Sequence, residues 1–171
     1  MIRKAVNNDL GQIEEIFALA RSRMHANGNT TQWTEGYPGK DIIQKDINAG
    51  FCRVLEDENG VYGAFSLLPG PDPTYRVIYG GQWLTDGDYG VIHRLASDGV
   101  HRGVFRETVQ YCLGLFKVLR IDTHKNNRPM IGAVEKAGFR YCGVIYLDRL
   151  GDNERLAFEL DTAKQNGKGT D

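Results

Sequence analysis

The chain has 171 residues, of which 41% are hydrophobic and 25% charged, the balance of a soluble globular protein of single-domain size. Its 21 basic and 22 acidic side chains give a net charge of −1, which argues against nonspecific nucleic-acid binding. No apolar run approaches the roughly 20 residues that span a bilayer, and the first residues lack the apolar stretch of a secretory signal. The three cysteines are too far apart to suggest a disulfide framework, so we expect a reduced, cytoplasmic protein without a membrane partner.

The first half of the chain alternates short strands with helices. The predicted elements are a strand at 2–6, an amphipathic helix at 9–25, a loop at 27–39, a short helix at about 40–48, and strands at 51–57 and 61–68. Asp9 and Gln12 stand in the positions of a capping box at the start of the first helix. Asn59-Gly60 between two apolar runs is a strong hairpin signal and joins the last two strands.

The second half is predicted in the same way. Its elements are a Pro- and Gly-rich loop at 69–88 with a short extended piece at 76–79, a strand at 89–97, a helix at 104–117, a strand at 119–123, a helix at 127–137 that Gly138 ends, strands at 139–147 and 154–160, and a frayed polar tail at 161–171. Helices separate only some of the strands, which favours a mixed α+β fold over a doubly wound sheet. We expect one domain over 1–160.

A single stretch, residues 95–106, carries the strongest chemical pattern. A strand passes through a polar, Gly-bearing turn directly into a helix, and the unpaired N–H groups of a helix start suit a phosphate or pyrophosphate. His101, Arg102 and Arg106 add positive charge there, and Gly103 permits close approach of the backbone. The same pattern also fits an ordinary strand-to-helix connection, so the residues alone leave both interpretations open.

Together with two later segments, this stretch resembles the GNAT superfamily of N-acetyltransferases. Residues 121–130 hold Asn127 at the family's Asn position, and Glu135-Lys136-Ala137-Gly138-Phe139 fits its Glu-Lys-x-Gly-Phe pattern. The element order matches over about 1–160, and Ile92-His93-Arg94-Leu95-Ala96-Ser97 looks like a small bacterial subgroup. The resemblance implies a mixed, mostly antiparallel sheet flanked by about four helices, and acetyl-CoA as co-substrate without a metal.

The resemblance also places the acetyl-CoA site. In the family, the strand before the turn pairs its backbone with the pantetheine arm, and the turn holds the pyrophosphate. The residues that this implies are Arg94, Leu95, Ala96, His101, Arg102, Gly103, Val104, Phe105, Arg106 and Asn127.

Two positions depart from the family's pattern. Phe105 stands where the family has Gly or Ala, and it either crowds the pyrophosphate or turns into the core as the first apolar residue of the helix. Val134 stands where many members have a Tyr that protonates the departing thiolate, so another group serves or no dedicated acid exists.

Acetyl transfer to an amine needs a group that removes a proton from the acceptor ammonium. His93, within a predicted strand, and His124, at the end of the next one, are the candidate bases, because an imidazole titrates near physiological pH. Both could instead be hydrogen-bonded structural side chains. Tyr141 and Tyr146 on the late hairpin could replace the missing acid, with Tyr146 preferred, although aromatic residues in strands mostly pack.

The loop between the first two helices borders the acceptor pocket in GNAT proteins. Here it carries Trp33, Glu35 and Tyr37, and Glu35 could attract an amine; alternatively, the aromatic rings cover the end of the sheet. We expect a small-molecule or peptide amine as acceptor, no nucleic-acid partner, and a monomer or homodimer.

The sequence thus predicts an N-acetyltransferase that moves an acetyl group from acetyl-CoA to a primary amine by direct attack. The alternative is a noncatalytic module of the same fold that binds an acyl-CoA or a protein. Ser97, Asp98 and His101 lie too close along one turn for a dependable hydrolytic triad. Cys142 is expected to be buried filler, and the histidines lack metal-ligand spacing.

Overall fold

The computed structural model describes residues 1–149 and 151–165, and its elements follow the predicted order. The strands are β1 (Ile2–Lys4), β2 (Cys52–Asp57), β3 (Gly60–Pro69), β4 (Gly90–Ser97), β5 (Val118–Thr123), β6 (Arg140–Tyr146) and β7 (Glu154–Asp161). The helices are α1 (Leu10–Ala26), α2 (Lys40–Asn48), α3 (Val104–Leu113), α4 (Arg128–Lys136) and the single turn α5 (Thr162–Gln165). Short 3-10 turns occupy Asn7–Asp9 and Pro73–Tyr75.

The strands are hydrogen-bonded in the order β1-β2-β3-β4-β5-β7-β6. The pairs β1–β2, β2–β3, β5–β7 and β6–β7 are antiparallel, and β4 runs parallel to β5. The predicted fold class is confirmed: this is a mixed α+β structure with a seven-stranded, mostly antiparallel open sheet. The β4–β5 pairing joins Gly90 to Leu119 and Val91 to Arg120.

Two compact units divide the described chain. The first comprises Met1–Leu68 and Ile92–Thr108. The apolar face of α1 supplies much of its core, because residues three and four apart lie on one side of a helix. The buried core residues of this unit include Ile13, Ile16, Phe17, Ala20, Trp33, Ile43, Ile47, Val54, Ala64 and Ala96.

The second unit comprises Pro69–Val91 and the chain from Val109 onward. Its centre holds a buried ion pair, with Arg120 Nε 2.7 Å from Glu159 Oε2 on the neighbouring strand. The guanidinium also lies 4.1 Å from the ring centroid of Trp83 and 3.8 Å from that of Tyr89. Two aromatic faces and a carboxylate thus compensate for the removal of the Arg120 charge from water.

The predicted capping box at the start of α1 is wrong. The Asp9 side chain accepts hydrogen bonds from Arg3 Nη1 at 2.7 Å and from the Val6 N–H at 2.8 Å, and makes no cap bond to α1. Gln12 Oε1 instead accepts from the N–H of Val61 at 3.0 Å. Asp9 thus binds groups that precede the helix, and Gln12 binds a group 49 residues away in sequence, which a local pattern does not reveal.

Three boundaries also differ from prediction. The helix expected over 104–117 ends at Leu113, where Gly114 begins a turn. The expected extended piece at 76–79 is reduced to one bridge between Tyr79 and Val144. At the C-terminus, β7 reaches Asp161 and α5 follows it, while residues 166–171 of the predicted frayed tail lie outside the described residues.

Candidate active site

The connection from β4 to α3 is fixed at its start by an arginine of α1. Arg23 Nη1 donates a hydrogen bond to the carbonyl oxygen of Asp98 at 2.7 Å, and Nη2 donates to that of Ser97. Gly99 follows with φ +84°, and a Cβ at that position would lie 2.6 Å from Arg23 Nη1. Glycine is therefore required at position 99 both for its backbone conformation and for space.

The Asp98 carboxylate organises the next turn of the chain. It accepts from the N–H groups of Val100 at 2.9 Å and His101 at 3.0 Å, and its other oxygen lies 2.7 Å from His101 Nδ1. The imidazole stacks on Tyr62 with centroids 4.1 Å apart, and its Nε2 lies 3.2 Å from Asp57 Oδ2. The hydrogen bonds to Asp98 and Asp57 raise the pKa of His101. Two carboxylates thus favour the protonated form of this side chain.

The start of α3 keeps its amide groups available. Within the described chain, the N–H groups of Arg102, Gly103 and Val104 make no hydrogen bond, as expected at a helix start. Gly103 has φ +79°, and a Cβ there would meet nothing within 4 Å. The side chains of Arg102 and Arg106 are exposed beside these amides. Open N–H groups, the positive end of a helix and two guanidinium groups suit a bound phosphate.

The two departures from the family's pattern lie in different surroundings. Phe105 is half-buried, so part of its ring is withdrawn from the solvent around the turn. Val134 of α4 is fully buried. The place of the family's acidic Tyr is therefore taken here by a core residue.

Strand β4 has an unusual backbone at its centre. Arg94 has φ +54°, and among the described residues it is the one non-glycine residue with a positive φ. A left-handed residue inside a strand costs about 1–2 kcal/mol and turns its peptide groups away from the regular ladder. Its neighbours His93 and Leu95 are half-buried, and Ala96 is buried.

The guanidinium of Arg94 contacts two side chains, Asp46 and Tyr37, and Ser66 in turn binds the Asp46 carboxylate. Its Nη2 lies 2.5 Å and its Nε 3.1 Å from Asp46 Oδ2, and the same oxygen accepts from Ser66 Oγ at 2.5 Å. A further hydrogen bond joins Arg94 to Tyr37. Burial lowers the pKa of Arg94, but the Asp46 carboxylate and Tyr37 raise it by more. The guanidinium therefore stays charged and holds the left-handed residue in place.

The three candidate residues of the loop over 27–39 differ in their burial. The Trp33 side chain is buried, with its ring edge-on to Phe17 at 5.5 Å and to Tyr37 at 6.2 Å between centroids. Glu35 is exposed and Tyr37 is half-buried. The buried Trp33 thus packs against Tyr37. Glu35 and Tyr37 are the candidates that are exposed or partly exposed to solvent.

His124 directly follows β5, and Asn127 directly precedes α4. His124 is 1% exposed; its Nε2 donates to Asp152 Oδ2 at 2.8 Å, and its Nδ1 accepts from the Asn126 N–H at 3.1 Å. Both ring nitrogens are thus used, with the proton on Nε2 assigned from these partners. Asn127 is the N-cap of α4, where its Oδ1 accepts from the Met130 N–H at 3.3 Å.

Tyr146 lies at the end of β6 and is 46% exposed, with its ring edge-on to Tyr79 at 5.3 Å. A second tyrosine, Tyr75, is buried and donates to Asp122 Oδ1 at 2.7 Å. Burial and the Asp122 charge raise the pKa of Tyr75 well above its ordinary value. Of the two phenols, Tyr146 is the one that solvent reaches.

Sequence reasoning missed the roles of Asp46 and Arg23. Asp46 had a signal, since it shares the apolar face of α2 with Ile43 and is buried there; a carboxylate at such a position needs a partner. Arg23 on α1 had none, because exposed arginines are common on amphipathic helices.

Two classes of feature are not found in the residues that the structure describes. None of their helices is long and apolar enough to cross a bilayer. They also contain no group of three or more His, Cys, Asp or Glu side chains that could hold a metal ion.

Comparison with solved structures finds proteins with a similar fold. A GNAT-family acetyltransferase from Streptococcus agalactiae 2603 is 31% identical, with 94% of each chain covered and a TM-score of 0.82. A ribosomal-protein-alanine N-acetyltransferase from Brucella melitensis is 20% identical over 94% of this chain and 99% of its own, with a TM-score of 0.58. An agmatine N-acetyltransferase is 14% identical over 94% and 98%, with a TM-score of 0.63. The last two share the fold alone. Neither a family model nor a curated protein matches the chain.

Proposed function

Because the chain belongs to the GNAT family of acetyltransferases, we propose that it transfers an acetyl group from acetyl-CoA to a primary amine by direct attack. The observation that carries the proposal is the path of β4: a left-handed residue at its centre, followed by a turn whose last amides are open. This path offers hydrogen-bond donors along an extended ligand that ends in a pyrophosphate.

The proposed donor site has two parts. The N–H groups of Arg102, Gly103 and Val104 bind the pyrophosphate, with the exposed guanidinium groups of Arg102 and Arg106 beside it. The pantetheine arm pairs with the backbone of Arg94, Leu95 and Ala96 on β4. Part of the Phe105 ring is buried, so we propose that it does not crowd the pyrophosphate.

The chemical step needs polarisation of the thioester. We assign this to backbone N–H groups near the left-handed Arg94, which the ion pair with Asp46 holds in place before substrate binds. Fixed donors stabilise the negative charge that develops on the carbonyl oxygen, without a reorganisation cost during reaction. The amine nitrogen forms a bond to the carbonyl carbon, and the carbon–sulfur bond then breaks.

Three proton transfers accompany the reaction: the ammonium loses one proton before attack, its nitrogen loses a second proton to solvent as the amide forms, and the CoA thiolate gains one. The acceptor ammonium must lose one, and we assign that to His93, half-buried on β4 beside Arg94. His124 is less suited, because its ring is 1% exposed and so lies out of reach of an acceptor. The departing CoA thiolate gains a proton from solvent or from the exposed phenol of Tyr146.

The acceptor is proposed to meet Glu35 and Tyr37, the accessible pair in the loop over 27–39. An exposed carboxylate attracts a cationic amine, and a phenol ring packs against its carbon chain. The two relatives named for an amine act on different ones, a ribosomal-protein alanine and agmatine, which supports a primary amine on a small molecule or peptide. Three free, buried cysteines fit the proposed cytoplasmic location, as a monomer or homodimer.

A transfer assay tests the proposal. Purified protein is incubated with acetyl-CoA and a panel of polyamines, amino acids and N-terminal peptides, with thiol release and the mass of the product as readouts. We expect release of one thiol per acetylated amine, and loss of turnover in His93→Ala. If no amine is acetylated although acetyl-CoA binds, the proposed transfer is wrong and the noncatalytic acyl-CoA-binding function takes its place.

A further inference from the structure

The last turns of α1 carry three side chains that hydrogen-bond to backbone carbonyls of other segments of the first unit. Arg21 Nη1 donates to the Tyr37 carbonyl at 2.9 Å, and His25 Nε2 donates to that of Trp33 at 2.7 Å. Arg23 donates to the carbonyls of Ser97 and Asp98. In a helix, residues 21 and 25 share a face and residue 23 points about 200° away from 21. One face of α1 therefore contacts the loop over 27–39, and another contacts the end of β4.

We propose that Arg23 is a positioning residue for the pyrophosphate turn, an inference that rests on the proposed function. The planar guanidinium fork binds two successive carbonyls, Ser97 and Asp98, and so fixes the direction in which the chain leaves β4. A lysine in its place could donate to either carbonyl but not to both in a defined plane. The role belongs to the shape of the group as well as to its charge.

The residue held by Arg23 also builds the turn. The carbonyl of Asp98 is bound to Arg23, while its carboxylate binds the N–H groups of Val100 and His101. Asp98 is thus fixed at its main chain and at its side chain, with Gly99 packed directly on the guanidinium. The open amides of residues 102–104 follow immediately. The direction of these amides depends on the hydrogen bonds that hold the preceding residues. Loss of the Arg23 side chain should therefore weaken binding of the pyrophosphate.

The test is calorimetric titration with CoA and with dephospho-CoA, which keeps the pyrophosphate and lacks the 3′-phosphate. We expect Arg23→Met to weaken both ligands by about tenfold, the loss of roughly one charge-assisted hydrogen bond. Arg23→Lys is expected to show a smaller loss for both. Arg21→Met, two residues away on α1 with its contact in another loop, is the matched control and should leave CoA affinity within about twofold.

Different outcomes overturn this inference and the proposed function on which it rests. Wild-type protein that binds neither ligand overturns the proposed function and the inference with it. Wild-type binding with unchanged affinity in both Arg23 variants overturns the inference alone. A loss for CoA without a loss for dephospho-CoA also overturns it, because Arg23 would then bind the 3′-phosphate directly. If the thermal unfolding curve shows that Arg23→Met is not folded, the CoA and dephospho-CoA affinities of Arg23→Lys test the inference by the same criteria.

Discussion

Asp46 and Arg94 form a largely buried ion pair, with Oδ2 and Nη2 2.5 Å apart, and Arg94 makes this contact from a left-handed backbone at the centre of β4. A strained residue persists only where its surroundings hold it, and here Asp46, Ser66 and Tyr37 do so. Asp46 of α2 therefore helps to hold the backbone N–H groups that we propose for the thioester oxygen.

Asp46→Asn is expected to remove the charge that holds Arg94 and to leave a buried guanidinium without its counter-ion. We predict a loss of about 2–4 kcal/mol in the free energy of unfolding, measured in urea. Among folded molecules, kcat should fall by about tenfold or more while the affinity for CoA changes little. Asp41→Asn, an exposed carboxylate on the same helix, is the control and should change neither quantity appreciably.

These contacts mark the limit of what the sequence could predict. The hairpin at Asn59-Gly60 and the end of α4 before Gly138 depend on local chemistry, and both were predicted correctly. The positive φ of Arg94 had no sequence signal, since only Gly, Asn and Asp commonly indicate one. The contact of Arg94 with Asp46, 48 residues away in sequence, had no local signal either.

The residues of the turn show the same division. The helix start at Val104 and the flexible position Gly103 follow from local pattern. His101 was expected to supply charge to a ligand, but Asp57, 44 residues away in sequence, is one of the two carboxylates that hold it. A contact over that separation depends on the fold and is invisible to a local pattern.

Gly99→Ala tests the packing of the turn on Arg23. The substitution adds a Cβ 2.6 Å from the guanidinium at a residue with φ +84°. We predict a loss of about 2–3 kcal/mol in unfolding free energy, from backbone strain and displacement of Arg23 together. Gly28→Ala is the matched control, because Gly28 has φ +83° with nothing within 4 Å, and it should cost only about 1 kcal/mol. Equal costs for the two variants would contradict direct packing of Arg23 on the turn.

The stability of the turn should depend on pH through His101. Its pKa in the folded protein is raised above the ordinary value of 6.5 by Asp98 and Asp57, so its contribution is fully present below 6.5 and is lost as pH rises through the folded pKa. The pKa values of both carboxylates are lowered, so their contribution is lost only in acid. We predict that the difference in Tm between wild type and His101→Gln shrinks from pH 6 to pH 9. Parallel Tm curves over that range would show that His101 does not form these ion pairs.

The two histidines considered as bases should respond differently to replacement. His93→Ala is predicted to lower kcat by about 10²-fold with CoA affinity unchanged, as for loss of a general base. His124→Ala removes the hydrogen bonds that its ring makes with the Asn126 N–H and with Asp152, and should instead lower the unfolding free energy by about 1–3 kcal/mol. Steady-state kinetics and urea unfolding of both variants separate the two roles. A larger kcat loss in a folded His124→Ala than in His93→Ala would reverse the assignment.

Calorimetric titration of the wild-type protein with acetyl-CoA tests the central claim most directly, because every role assigned to β4 and its turn depends on binding this ligand. We expect a single site with micromolar affinity for acetyl-CoA. Desulfo-CoA should bind at the same site, and added inorganic pyrophosphate should lower the apparent affinity. The absence of any heat of binding at millimolar acetyl-CoA would contradict this prediction.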